Sequence, residues 1–186
     1  ASPQTHHYLR GTEAAVRRGQ VVVRLLMSLK ASGFVPEVVF AHPGWGEALF
    51  VKDVFPDTKL ILYLEFFYRA HGADVNFDPE QPSSVDDVFR LRIKNTVQLL
   101  SLEQADAAVS PTEWQAAQFP AMFRERIRVL HDGIDTDALC AADARVELPG
   151  GLMLTRADEV VTYVARNLEP YRGFAGFMRA LPAIHA

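Results

Sequence analysis

The chain reads as an α/β protein, a parallel sheet with helices on both faces. Three observations predict it. Helical and strand-like stretches alternate from Thr12 to Leu130, the pattern that parallel sheets with crossover helices produce. The strand-like stretch from Thr58 to Glu65 is apolar almost throughout rather than alternating, as strands buried on both faces are. Polar or ionisable residues then stand at the carboxyl end of each predicted strand: His42, Glu65, Ser110, His131 with Asp132, and Arg166. In sheets of this kind ligands bind outside those ends.

The first helix spans Thr12 to Ala31, with Ala15, Val16, Val22, Val23, Leu26 and Leu29 at helical spacing and Gly33 closing it. A strand follows Pro36, over Glu37 to His42. Gly44-Trp45-Gly46 makes a tight turn, and Glu47 to Val54 reads as a short helix. After the Thr58–Glu65 strand, Tyr68 to Pro82 is a loop of roughly fifteen residues, a length that is often functional. Val85 to Ala105 is helical, Ala107 to Val109 is a short strand ending at Ser110-Pro111, and Thr112 caps a helix to about Phe119. Arg126 to Leu130 is the next strand. From Thr136 to Ala157 the periodicity fades, and Ala, Asp, Pro149, Gly150 and Gly151 suggest a linker with one reverse turn. Glu159 to Ala165 then predicts a further strand and Gly173 to Leu181 a helix. A lone strand and helix bury no core of their own, so the chain is expected to be a segment of a longer protein.

Composition narrows the class. Of 186 residues, 49% are hydrophobic and 23% charged, with a formal charge of −4 and a pI near 5.9. That balance gives no electrostatic footprint for nucleic acid, which is excluded as a partner. No apolar run approaches the ~18 residues that span a bilayer, and the opening residues do not have the form of a signal peptide. The single cysteine, Cys140, precludes an internal disulfide or a cysteine-based zinc cluster. Arg17, Arg18, Arg24 and Lys30 on the first helix read as a solvated face.

Arg166 and Arg172 flank the predicted strand-to-helix turn before Gly173. Guanidinium groups pair with phosphate in parallel, and a helix start there favours anions, so the turn can hold a diphosphate. The alternative is a solvated pair bonded to a nearby carboxylate such as Glu169. His42 precedes Pro43-Gly44-Trp45-Gly46-Glu47, where the two glycines would allow close approach of a ligand; otherwise the imidazole only caps the turn. Glu65 ends an apolar strand, which is costly unless it is paired. Arg69 is its structural candidate, and an acceptor hydroxyl its functional one. Gly133 in His131-Asp132-Gly133-Ile134-Asp135 is expected at positive φ. His6 and His7 have no metal-site spacing and read as exposed loop residues.

Four segments in this order, His42–Glu47 (HPGWGE), Leu62–Glu80, His131–Thr136 (HDGIDT) and Arg166–Phe174 (RNLEPYRGF), resemble bacterial family-4 glycosyltransferases. The resemblance spans about Tyr8 to Pro182. It implies a retaining enzyme of the GT-B type, with two Rossmann-like domains facing a cleft. Residues 1–135 would be an incomplete acceptor-side domain, 136–158 the linker, and 159–186 the first β-α unit of the donor-side domain. Arg166 and Arg172 match the family's basic pair on the donor diphosphate, with Gly173 at the adjoining helix start. His42, Gly44, Glu65 and His131 fall on the acceptor or sugar side, and the implied catalytic set is Arg166, Arg172, Glu65 and His42. Asp132 replaces a usual Asn, and Glu65 stands where many members have His. The N-terminal Gly-rich loop and the distal glutamate pair of the family have no counterpart, so the segment alone is expected to be inactive.

The implied reaction moves a hexose from a nucleoside diphosphate sugar to a glycan or lipid-linked acceptor, in polysaccharide biosynthesis. No cofactor or metal is expected. The expected location is the cytoplasm, with peripheral contact at the inner membrane face left open. The competing reading is a non-catalytic glycan- or nucleotide-binding module of the same fold; a third, an unrelated phosphate-handling Rossmann protein, lacks its G-x-G-x-x-G loop here.

Overall fold

The computed structural model describes residues 3–73 and 75–185. The chain divides into two compact units, Ala1–His131 and Asp132–Ala186. The first contains α1 (Arg10–Ala31), β1 (Val38–Ala41), α2 (Val51–Val54), β2 (Lys59–Tyr63), α3 (Val85–Lys94), α4 (Thr96–Gln104), β3 (Ala107–Ser110), α5 (Glu113–Gln118) and β4 (Ile127–Val129). Short 3-10 turns cover His7–Leu9 and Ala121–Arg126. The four strands form one parallel sheet in the order β1-β2-β3-β4. A Rossmann-like α/β sheet is therefore present, with helical crossovers between successive strands as parallel pairing requires.

The sheet is built around β2. Leu60, Leu62 and Leu64 are fully buried and pack with Leu102, Ala108, Phe119 and Phe123. Each such leucine stabilises the fold by about 1.5–3 kcal/mol relative to an exposed one. Ala41, Leu62, Ala108 and Ile127 lie in one row across the ladder. This register brings the carboxyl ends of all four strands to the same edge. At the side of the sheet, β1 leaves Val38 and Phe40 more than half exposed.

Three local expectations change. The predicted Val85–Ala105 helix is interrupted at Asn95, because that side chain is drawn to the backbone of Tyr68: Nδ2 donates to the carbonyl at 2.8 Å, and the Tyr68 N–H donates to Oδ1 at 3.2 Å. The helix expected from Glu47 begins only at Val51, since Gly46 (φ +101°) turns the chain sharply against α1. β2 ends at Tyr63 rather than Glu65. The Thr112 cap is present, its hydroxyl accepting the Gln115 N–H at 3.2 Å.

The loop after β2 is ordered by its own side chains. Asn76 sits at φ +59°, accepts the Ser83 N–H at 2.7 Å and donates to the Ala70 carbonyl at 3.2 Å. Ser84 and Asp87 form a capping box that starts α3.

The second unit holds an antiparallel hairpin, β5 (Val146–Glu147) with β6 (Met153–Leu154), a 3-10 turn at Pro170–Arg172, and α6 (Phe174–His185). Gly150 and Gly151, both at positive φ, lie in the turn that closes the hairpin, within the stretch expected to be a linker with one reverse turn. The strand expected over Glu159–Ala165 does not form. A parallel strand takes its ladder from neighbours, and among the described residues none pairs with this stretch. Val160, Val161 and Val164 are correspondingly exposed. Tyr163 instead folds back on α6, stacking on Phe177 at 5.3 Å and meeting Phe174 at 5.4 Å.

Candidate functional site

The aligned strand exits of the first unit bring His42, Gly44 and Glu65 together. The Gly44 N–H donates to His42 Nδ1 at 3.1 Å, so the neutral imidazole carries its proton on Nε2. Nε2 lies 3.5 Å from Glu65 Oε2. Trp45 stacks on the ring, with centroids 4.6 Å apart. A Cβ on Gly44 would come within 2.6 Å of His42 Cε1, so glycine at 44 makes room for this histidine. Both glycines also serve packing: a Cβ on Gly46 would lie 2.2 Å from the Ala15 carbonyl oxygen of α1.

Glu65 is not buried. Lying beyond β2, its side chain is 57% exposed, which removes the expected desolvation cost. Its ionisable neighbour is His42, not Arg69. The Arg69 Nε donates instead to the Gln118 carbonyl at 2.7 Å, with the guanidinium over the Phe67 ring. The Glu65 backbone carbonyl accepts from Gln115 Nε2 at 2.8 Å, which ties the β2 exit to α5. Ser110 is fully buried and donates to the Leu64 carbonyl at 2.8 Å, so its hydroxyl is structural. His131 follows β4 at the surface.

Two residues of this site were not singled out by sequence. Trp45 is 56% exposed while it stacks on His42. Arg18 donates from Nη1 to the Trp45 carbonyl at 2.8 Å and lies 3.6 Å from Glu47. The basic residues of α1 are therefore not simply a solvated face: Arg17 pairs with Glu13, and Lys30 donates to the Val54 carbonyl at 2.6 Å. The available signal was Ala15 and Gly19, two small residues one turn apart, which let α1 press against the Gly46 turn.

In the second unit, Arg166 is exposed and has no carboxylate partner among the described residues. Arg172 Nε is bonded to Glu169 Oε2 at 2.6 Å, and Asn167 Nδ2 donates to Glu169 Oε1 at 3.1 Å. The pairing with Glu169 raises the Arg172 pKa further. Partial desolvation pushes the Glu169 carboxyl up, but its hydrogen bonds outweigh this and hold it below the ordinary range. Gly173 takes φ +76°, the left-handed conformation that ends the 3-10 turn and admits α6. Gly133 is likewise at positive φ, +79°.

The family model for the glycosyl transferase family 4 group matches residues 1–139. The chain belongs to the glycosyl transferase family 4 group. No curated protein matches it. Membership assigns glycosyl transfer, from a donor to an acceptor, as the class of chemistry, and the matched span includes His42, Trp45, Glu65 and His131. Among the described residues of this family member, no three His, Cys, Asp or Glu side chains are grouped as a metal site needs, and no helix is long and apolar enough to cross a membrane.

Proposed function

We propose that this chain is the central part of a retaining hexosyltransferase that uses a nucleoside diphosphate sugar, with residues 1–135 on the acceptor side, 136–158 as linker and 159–186 opening the donor-side domain. The observation that carries the reading is the His42–Glu65 pair beside an exposed indole at the sheet's carboxyl edge, in a member of a glycosyltransferase family. A sugar ring presents C–H groups on its face and hydroxyls at its rim. Trp45 offers the apolar surface, while Glu65 accepts and His42 Nε2 donates hydrogen bonds to the hydroxyls.

In the transfer, the bond from the anomeric carbon to the diphosphate oxygen breaks and a bond to the acceptor oxygen forms. The acceptor proton passes to the departing phosphate. Negative charge grows on the diphosphate, and Arg166 and Arg172 stabilise it there. Arg172 keeps Glu169 as a brace, which fixes the direction of its fork. The acceptor is a glycan or a lipid-linked sugar, and the reaction takes place in the cytoplasm or at the inner membrane face, with no metal.

Calorimetry with a panel of nucleoside diphosphates on the full-length protein tests this. One base should bind, and Arg172→Ala should weaken it about tenfold, about 1.4 kcal/mol. Absence of binding to every nucleotide would overturn the transferase reading in favour of a glycan-binding module.

A further inference from the structure

Two adjacent cavities lie along α3, away from the His42–Glu65 pair. One, of about 270 Å³, is walled by the β2 exit loop, α3 and the start of α4, and includes Arg69 and Arg92. The other, of about 410 Å³, lies between the N-terminal turn, α1 and α3, and includes Arg10, Arg90 and Lys94. They share Leu91. Lys94 of the second sits over the ring of Tyr68 of the first, its Nζ 3.6 Å from the centroid. The volumes are at the small end of ligand cavities and adequate for a phosphate or diphosphate group.

The chemistry of the walls is one-sided. The whole protein carries 23 Asp and Glu against 19 Lys and Arg. Yet five of those cations, and no carboxylate among the described residues, line these cavities. Arg90 is paired with Asp87 at 2.6 Å, whereas Arg10, Arg92 and Lys94 have no ion-pair partner among the described residues. The walls are also fixed in advance. Asn95 clamps the Tyr68 backbone on both sides, Arg69 is held by the Gln118 carbonyl, and Lys94 is held by the Tyr68 ring. On the far side, Tyr8 and His7 are both bound to Asp86, at 2.5 and 3.2 Å, so the N-terminal turn is tied to α3 while His6 and His7 stay exposed as expected. Asp86 and Asp87 engage the N-terminal turn and Arg90, which leaves Arg10, Arg92 and Lys94 as the cations that an anion can join.

We propose that these adjacent cavities form a second anion site, distinct from Arg166 and Arg172, which binds the phosphates of a small diphosphate-bearing ligand, with Arg92 in one cavity and Arg10 and Lys94 in the other. That the ligand is the acceptor, making it a diphosphate-linked sugar, rests on the transferase reading. The anion binding itself does not.

Inorganic pyrophosphate is titrated into the full-length protein by calorimetry, for wild type, Arg92→Ala, Lys94→Ala, the charge-keeping Lys94→Arg and the donor-side variant Arg172→Ala. Arg92→Ala and Lys94→Ala should each weaken binding about tenfold, as loss of a charge-assisted phosphate contact does. Lys94→Arg should retain most of it, and the dependence on Arg92 and Lys94 should persist in an Arg172→Ala background, where the donor-side site is weakened. Arg92 is exposed on α3, so its variant carries the test even if Lys94→Ala unfolds. The proposal fails if pyrophosphate does not bind, if binding ignores both α3 substitutions, or if it is lost only in Arg172→Ala; that last outcome would leave the donor reading intact. Vesicles of phosphatidylcholine with phosphatidylglycerol supply the remaining arm. Sedimentation with them that depends on Arg92 and Lys94, without pyrophosphate binding, would assign the cavities to a lipid surface and overturn the proposal.

Discussion

Gly46 shows how one residue sets the site. Its φ of +101° is open to glycine, and α1 approaches so closely that any Cβ would meet the Ala15 backbone at 2.2 Å. Gly46→Ala is expected to cost about 2 kcal/mol or more, read as a lower urea midpoint, and to displace the Trp45–His42 stack. A midpoint equal to wild type would contradict this packing. Asp106 is the second such residue. Its carboxylate takes Lys52 Nζ at 2.8 Å, Lys59 Nζ at 3.1 Å and the Leu60 N–H at 2.9 Å. These bonds, led by Lys52, hold its pKa well below the usual range despite partial burial. A carboxylate depressed in the folded state adds stability that is fully present above its unfolded pKa, about 4, and is lost as pH falls below it. Asp106→Asn should lower stability near neutrality by about 1–2 kcal/mol and flatten the loss of stability on acidification. Unchanged urea midpoints at both neutral and acid pH would refute that role.

Among the elements, the break between α3 and α4 has the largest consequence. The sequence from Val85 to Ala105 has the periodicity of one helix, and nothing local marks Asn95 as a stop. Its amide instead substitutes for a strand partner to the Tyr68 backbone, forming a wall of the first basic cavity. Asn95→Ala should leave two part-buried backbone groups of Tyr68 without this partner, at about 1 kcal/mol or more. Hydrogen exchange at residues 66–70 should quicken before that of β2 and β3; unaltered exchange there would show that the loop is held by other contacts. The coil at Glu159–Ala165 makes the converse point. Its valines announce a strand, but strand formation needs a neighbour to hydrogen-bond, and propensity cannot supply one.

Across the molecule, stability is unevenly distributed. The buried residues belong to the first unit, and among the described residues from 132 to 185 none is buried. Amides of β2 and β3 should therefore exchange only through global unfolding, whereas those of the hairpin and α6 should exchange orders of magnitude faster. Equal protection in the two units, measured by mass spectrometry, would rule this out. The sequence by itself determined the four strands of the first unit's sheet, their order along the chain and the residues that follow them, because periodicity and strand ends are local properties of the chain. Resemblance pointed to the family, which the match over residues 1–139 bears out. Tertiary structure alone decided that His42 rather than Arg69 faces Glu65, that Gly46 packs against α1, and that cations from α1, α3 and the β2 loop line two adjacent cavities. Those are contacts between residues distant in sequence, fixed by packing geometry that no local pattern encodes.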